Sequence, residues 1–321
     1  MKAVHLGSPG TGEARLARGL AVVEGWVRSA ALAALVASFG GDIPHGTDLD
    51  ELLRYLDDFS ERWDFRRGAE RLDATRFEGD SQSARQIEEA AAALGLTDPL
   101  PPQQERYDYV IVLGGVAQSC LLRTRLAADF ITRGVVVAPL VALLGAWRPV
   151  SEREREDAER YSNGAATEFD LMNAAAEQEF SGLDGYAEEV SDDQATNQRA
   201  VVRRYQGIAE VQIVSLCAPS SDPARRANTE DTYAFFADAV KVTSGQNCLI
   251  CTSQIYHPFH VFGAIRMLNL PYDVDVEVVG YPPEWGWGQS ALRDTHNLLQ
   301  EIRSAIQAAV RLKADIDRRA A

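Results

Sequence analysis

A chain of 321 residues, 46% hydrophobic and 25% charged, has room for two domains or for one large α/β domain with an extension. That composition excludes long disorder, and a formal net charge of −15 repels polyanions, so nucleic acid is not an expected partner. Residues 1–12 lack the basic and apolar regions of a signal peptide, and the most apolar runs, 27–39 and 135–147, are short for a bilayer. The expectation is a cytoplasmic protein with no membrane partner.

The first third reads as helices. Leu16, Leu20, Val23, Val27 and Ala31 form a helical stripe, continued by Ala34 and Leu35 until Gly40-Gly41. A second helix opens at Thr47 or Asp48, with Glu51 in capping-box position and an apolar face from Leu49 to Trp63. A third begins at Ser83, presents Ile87, Ala91 and Leu94, and stops at Gly95. Residues 1–96 are therefore expected to hold helices only. Three prolines in four positions mark 97–105 as a linker.

From residue 106 to 321, strands and helices alternate, the pattern of a mostly parallel α/β sheet with helices on both faces. About five strands are expected, at 109–113, 135–144, 211–217, 248–252 and 274–279. Helices follow the first strand, open at Ser151 with Glu154 and again at Thr167, occupy 228–240 and 256–268, and end the chain over 290–318. Residues 181–194 read as an acidic surface insertion, and 195–205 as a short helix.

The organising stretch is the first strand and its exit. Tyr109-Val-Ile-Val-Leu113 is apolar enough to be buried on both faces, and Gly114-Gly115 turns it into a helix carrying Leu122, Leu126 and Phe130 on one face. Backbone N–H groups at such a helix start favour an anion, although the full GxGxxG of a dinucleotide site is absent. A tight turn without ligand is the other reading. Ligands of parallel sheets bind beyond the carboxyl ends of strands. That rule selects Gly114, Gly115 and Gln118, then Trp147-Arg148, Asn228-Thr-Glu-Asp-Thr232, Thr252 to His257, and the loop from Tyr281 to Gln289.

Cys248 and Cys251 have C-x-x-C spacing, but on a strand they point to opposite faces and no second pair completes a zinc site. His257 and His260 are three apart without a third ligand, so no metal is expected.

Val112-Leu-Gly-Gly115 followed by Arg125-Leu126, with Thr167-Glu168, Asn228-Thr-Glu-Asp-Thr232 and Thr252-Ser-Gln-Ile-Tyr-His257, resembles the YdcF/SanA/ElyC family over about 107–279. His260 stands where that family carries an arginine, and Asp231-Thr232 is looser than its Glu-Asn step. The resemblance implies a Rossmann-like fold and a polar crevice for a nucleotide-like or S-adenosylmethionine-like ligand. It implies no single reaction.

Two functional readings follow. In the first, an enzyme of group transfer or hydrolysis takes a nucleotide-, S-adenosylmethionine- or phosphate-bearing molecule in the strand-exit crevice. Glu168 and His257 supply acid–base chemistry there. Gly114, Gly115, Gln118, Arg125, Asn228, Thr229, Glu230, Thr252, Tyr256 and His260 line the ligand. In the second, a non-catalytic binding or regulatory module uses the same crevice; no convincing nucleophile separates the two. Asn228 and Thr229 are equally helix caps. Trp285 and Trp287 either stack over the ligand or cap the core. A homo-oligomer is compatible with either reading.

Overall fold

The computed structural model describes residues 3–44, 46–67, 75–191, 196–208, 210–287 and 294–321. Tyr109–Leu113 (β1) is buried at every position, as an apolar run without alternation requires. It leads through Gly114-Gly115 into α5 (Ala117–Thr132), numbered after four helices that precede it: α1 (Arg15–Val27), α2 (Ala30–Ser38), α3 (Leu49–Ser60) and α4 (Ser81–Ala93). Then come β2 (Leu140–Ala146), α6 (Arg155–Glu159), α7 (Glu168–Glu179), β3 (Tyr186–Val190), β4 (Val201–Tyr205), β5 (Gln212–Ala218) and α8 (Thr229–Val240). The chain closes with β6 (Asn247–Ser253), α9 (His257–Ala264), a π turn over Ile265–Asn269, α10 (Leu270–Tyr272), β7 (Asp275–Tyr281) and α11 (Thr295–Ala320). Among the described residues before Leu96 all regular structure is helical, and every strand lies after the proline-rich stretch.

The sheet has seven strands, not five, in the order β3-β4-β5-β2-β1-β6-β7. Five are parallel: β1 lies between β2 and β6, β2 also pairs β5, and β6 also pairs β7. The other two are antiparallel additions at the β5 edge. They correct the sequence reading of 181–194 as an insertion and 195–205 as a helix. Val201-Val202 and Tyr205 are strand formers, and the polar residues between them are paired across the hairpin. Arg203 meets Glu188 at 2.8 Å, Arg204 meets Glu189 at 3.8 Å, and the Tyr186 and Tyr205 rings lie 5.9 Å apart.

Both faces of the sheet are covered. Tyr109 packs edge-on against Phe236 of α8, while on the other face a Cβ added to Gly145 would come 3.5 Å from Met172 and Phe169 of α7. β2 starts at Leu140 rather than at 135, because Pro139 offers no N–H to a ladder; Val135 and Val137 are left exposed.

The chain forms two compact units. The sheet-bearing unit comprises residues 100–253 and 267–281. The helical unit comprises 1–99, 254–266 and 282–321. Within it, the expected first helix is two, since Ser29 adopts an extended backbone and its hydroxyl caps Leu32 N–H. The stretch Arg15–Ser38 is long and apolar enough to cross a membrane by length and composition alone. In the fold, its Trp26, Val27, Leu32, Leu35 and Val36 are core residues, as are Ile302, Ile306 and Leu312 of α11. The carbonyls at the end of α4 are all engaged: Ala93 by Val4 N–H, Leu94 by the Trp26 indole, and Gly95 by the Gln254 amide. Three orphan acceptors of a helix end thus tie α1, α4 and the start of the α9 segment together.

Candidate functional site

The start of α5 does receive an anion, and the anion belongs to the chain. Ala117 N–H donates to Glu154 Oε2 at 3.1 Å. Glu154 is placed there by a capping box with Ser151, whose N–H donates to Glu154 Oε1 at 2.7 Å. Burial alone would raise this carboxyl's pKa. The Arg148 guanidinium and the two N–H donors outweigh burial and hold it below the ordinary 4.5.

Arg148 follows β2 and organises the cluster. Its Nη1 donates to Glu154 Oε1 at 2.5 Å and to the Pro149 carbonyl at 3.1 Å. Nη2 donates to Glu154 Oε2 at 3.2 Å and to the Gly115 carbonyl at 2.8 Å. Nε donates to Glu168 Oε2 at 2.9 Å. All the N–H donors of the guanidinium fork are therefore used.

Glu168 opens α7 behind its cap Thr167, and its own N–H returns to the Arg148 carbonyl at 2.8 Å. Burial pushes its carboxyl above 4.5, against the downward pull of Arg148, Arg123 and Arg226. Its second oxygen lies against Gly114. A Cβ on Gly114 would overlap that carboxylate and come 2.6 Å from the Leu144 carbonyl. On Gly115 it would meet only Ser119 Cβ at 3.3 Å and Arg123 Nη1 at 3.4 Å. Gly114 is thus the glycine that makes room, whereas the sequence singles out Gly115 as the one that lets the backbone approach a ligand closely. Gly114→Ala is expected to cost roughly 1–3 kcal/mol by overpacking, and Gly115→Ala less. Chemical denaturation of the two variants checks the order.

Arg123 was not singled out in the sequence. It lies on the buried side of α5 and donates Nη1 to the carbonyls of Leu113 at 3.0 Å and Gly114 at 2.5 Å. Nε and Nη2 donate to Ser253 Oγ at 3.1 and 3.0 Å. One side chain so joins the carboxyl ends of β1 and β6, where strand order turns back. Arg125, the arginine named instead, pairs with Glu179 at 3.0 Å on the outer side of α5. Gln118 is half-buried in the first turn of the same helix. Cys120 points its thiol at the Gly115 carbonyl, and burial pushes it up to about 12.

At the exit of β5 the capping role of Asn228 is explicit. Its Oδ1 accepts N–H bonds from Glu230 at 2.9 Å and Asp231 at 3.1 Å, and Asp231 Oδ2 accepts the Asn228 N–H at 2.9 Å. Thr229 is half-buried, and its carbonyl accepts the Thr232 hydroxyl. Asp231 also takes Arg225 Nη1 at 2.6 Å and Ser221 N–H at 3.0 Å. Burial opposes its charge, but these donors bring its pKa down to about 2. A depressed carboxyl contributes stability above its unfolded pKa of 3.8 and loses it as pH falls toward 2. Asp231→Asn is therefore expected to melt below wild type at neutral pH, with the gap closing in acid. Urea titrations across pH test the sign. Thr252, on β6, is fully buried, and its hydroxyl has no partner among the described residues.

Residues 9–95 match the family model described as the Rv3785 N-terminal domain. Over 328 residues the chain is 34% identical to "Uncharacterized protein Rv3785" of Mycobacterium tuberculosis (strain ATCC 25618 / H37Rv), covering 93% of this chain and 90% of that one. "Uncharacterized protein Mb3814" of Mycobacterium bovis matches to the same extent. The chain belongs to the Rv3785 family. No solved structure matches it.

Membership in the Rv3785 family overturns the resemblance to YdcF, SanA and ElyC. The relatives align over nearly the whole chain, and neither they nor the family model point to that family. The short motifs behind the resemblance have local explanations: Asn228 to Asp231 is a capping box, and Thr252-Ser253 is the end of β6. The nucleotide-like or S-adenosylmethionine-like ligand that the resemblance implied loses that support with it.

The remaining predicted residues of this Rv3785-family chain lie in the helical unit. Tyr256 and His260 are buried with their rings 6.2 Å apart, and His257 begins α9, half-buried. Trp285 and Trp287 are half-buried after β7. Glu168, Gly114 and Gly115 are thus brought together in the sheet-bearing unit, with Arg148, Glu154 and Arg123 added. In the sequence Trp147-Arg148 is one of the strand exits, and Ser151 with Glu154 reads as a helix cap. Among the described residues no group of three or more His, Cys, Asp or Glu side chains is arranged to hold a metal.

Proposed function

We propose that this Rv3785-family chain is an enzyme of group transfer or hydrolysis. It acts on a nucleotide- or phosphate-bearing small molecule at the carboxyl ends of β1 and β2, in a Rossmann-like sheet. The observation that carries this reading is Glu168: a buried carboxyl of raised pKa, one oxygen held by Arg148 and the other turned to the Gly-Gly exit. A carboxyl raised in this way holds a proton more readily than an ordinary glutamate. Arg123, Arg148 and Arg226 supply positive potential around it within a chain of net charge −15, which favours an anionic substrate. Cys120, with its thiol at about 12, is no nucleophile. Attack therefore comes from water or from a second substrate, with Glu168 taking the proton.

The alternative, a binding module without catalysis, is favoured by a different observation. The helix starts at Ser151, Thr167 and Asn228 are each closed by a capping box of the chain's own side chains. The carboxylates there, Glu154, Asp170 and Asp231, serve the chain's own N–H groups, which makes them caps and not acid–base groups.

Glu168→Gln separates the two readings. A panel of nucleotides and sugar phosphates is screened by thermal shift, and those that bind are followed for turnover. For the enzyme, a panel member stabilises both proteins and only wild type converts it. Binding with no turnover in either protein supports the module, and turnover unchanged in Glu168→Gln removes Glu168 from the chemistry. The unliganded proteins provide a sign check. A raised carboxyl contributes stability below its unfolded pKa of 4.5 and loses it as pH rises through the folded value. Wild type should lose ground to Glu168→Gln as pH rises from 4.5.

A further inference from the structure

β3 ends the sheet, and its outer edge pairs with no other strand among the described residues. All its residues are exposed, with Tyr186 at 49% and Val190 at 45%. Of the devices that blunt an edge, β3 is short and carries two glutamates, but it contains no proline, no lysine and no residue with positive φ. Of its two charges one is tied down and the other, Glu189, stays largely in solvent. Glu188 is held by Arg203 at 2.8 Å and Glu189 lies 3.8 Å from Arg204, both on β4.

The direction of the backbone groups follows from the hairpin. Ser191 N–H donates to the Ala200 carbonyl at 2.9 Å, and Gln206 N–H to the Gly185 carbonyl at 3.0 Å. With Tyr186 opposite Tyr205 and Val190 opposite Val201, residues 185, 187, 189 and 191 are the ones bonded to β4. Tyr186, Glu188 and Val190 turn their N–H and C=O groups to the open edge.

We propose that β3 is a self-association edge, pairing antiparallel with β3 of a second copy of this chain about a two-fold axis at Glu188. Two-fold symmetry at that residue sets Tyr186 opposite Val190, Glu188 opposite Glu188, and Val190 opposite Tyr186. Each of these pairs joins residues whose backbone groups already face outward, so the ladder closes without a slip in register. The two exposed apolar side chains cover one another across the axis, an aromatic beside a β-branched residue. On the opposite sheet face Glu189 falls against Ala187, so no second like-charge contact forms. The Glu188 pair is the unfavourable contact, and Arg203 in each copy offsets it. Both apolar members of the flanking pairs, Tyr186 and Val190, come from β3 itself, and that match is what selects a second copy. The contact is one short strand, and each copy carries a charge of −15, so the dimer is weak and tightens as salt screens the chains.

Sedimentation velocity of the full chain from roughly 1 to 200 µM should show a monomer passing to a dimer and no further. Hydrogen exchange at Tyr186, Glu188 and Val190 should slow as the dimer forms. Val190→Pro removes an outward N–H and touches neither a bond to β4 nor an ion pair, and it should weaken association at least about tenfold. If that variant misfolds, exchange at the three amides decides alone. A monomer at every concentration overturns the proposal. So does open-ended growth, or a dimer in which the three amides exchange as fast as in the monomer.

Discussion

Arg148→Met is expected to lower the unfolding free energy by about 3–5 kcal/mol, the usual cost of removing one partner from a buried ion pair. The side chain fills similar volume, so the loss falls on the acceptors it leaves behind: both oxygens of Glu154, one of Glu168, and the carbonyls of Gly115 and Pro149. The two carboxylates respond differently. Glu168, already raised by burial, can take a proton, whereas Glu154 keeps the N–H bonds of Ser151 and Ala117 and is held charged. Most of the penalty is therefore assigned to Glu154. Adding Glu154→Gln to Arg148→Met should recover much of the loss, because a neutral amide is cheaper to leave without its arginine. The pH dependence has a definite sign. A carboxyl whose folded pKa is depressed contributes stability above 4.5 and loses it in acid, so wild type and Arg148→Met converge as pH falls below that value. Thermal melts at neutral pH should differ by on the order of ten degrees. A difference within a degree would show that Arg148 is solvated and that the cluster does not hold the β2 exit together.

The parts of this cluster legible in the sequence are those written in neighbouring residues. A buried run broken by Gly114-Gly115 announces a strand and its exit, and Ser151 with Glu154 announces a helix start, because each signal sits within a few positions. Arg148 was visible as part of a strand exit, but not as the residue that binds two glutamates. Its partners, Glu154 in the turn that leads into α6 and Glu168 at the start of α7, carry nothing in their spacing to say that both turn toward β2. The Gly-Gly pair illustrates a finer limit. Both glycines permit the same turns, and only the Glu168 carboxylate, reached through 54 residues of chain, makes Gly114 the one that must lack a side chain. The β3–β4 hairpin failed for another reason. Its Glu and Arg residues gave each segment a polar look, and the pairing that neutralises them is a property of two segments together. The helix break at Ser29 was masked in turn by the apolar residues on both sides, which continue one periodic stripe across the cap.

Arg123 is the extreme case of a residue hidden by its neighbours, and Arg123→Met is the second large effect expected. On a helix it reads as one polar position beside Thr124 and Arg125, and its acceptors are two backbone carbonyls and a serine 130 residues away. Removing it leaves the Leu113 and Gly114 carbonyls without this donor in a buried site, where each unmade bond costs about 1–3 kcal/mol. Relief of burying a guanidinium offsets part of that sum. A net loss of roughly 2–4 kcal/mol is expected. Arg123→Lys should recover little, since one ammonium cannot span the carbonyl ends of β1 and the hydroxyl of Ser253 in the fixed fork that arginine provides. The loss should be local before it is global. Joining two adjacent strand ends matters most where β1 and β6 diverge, so exchange of the Gly114, Gly115 and Ser253 amides should accelerate more than that of Val110 or Ile250 in the strand interiors. Ser253→Ala removes the β6 half of the clamp and keeps the carbonyl half. It should show the same pattern at Ser253's neighbours with a smaller fall in stability. Should Arg123→Met accelerate exchange uniformly along β1 and β6, Arg123 supports the sheet as a whole and is no clamp at its carboxyl end.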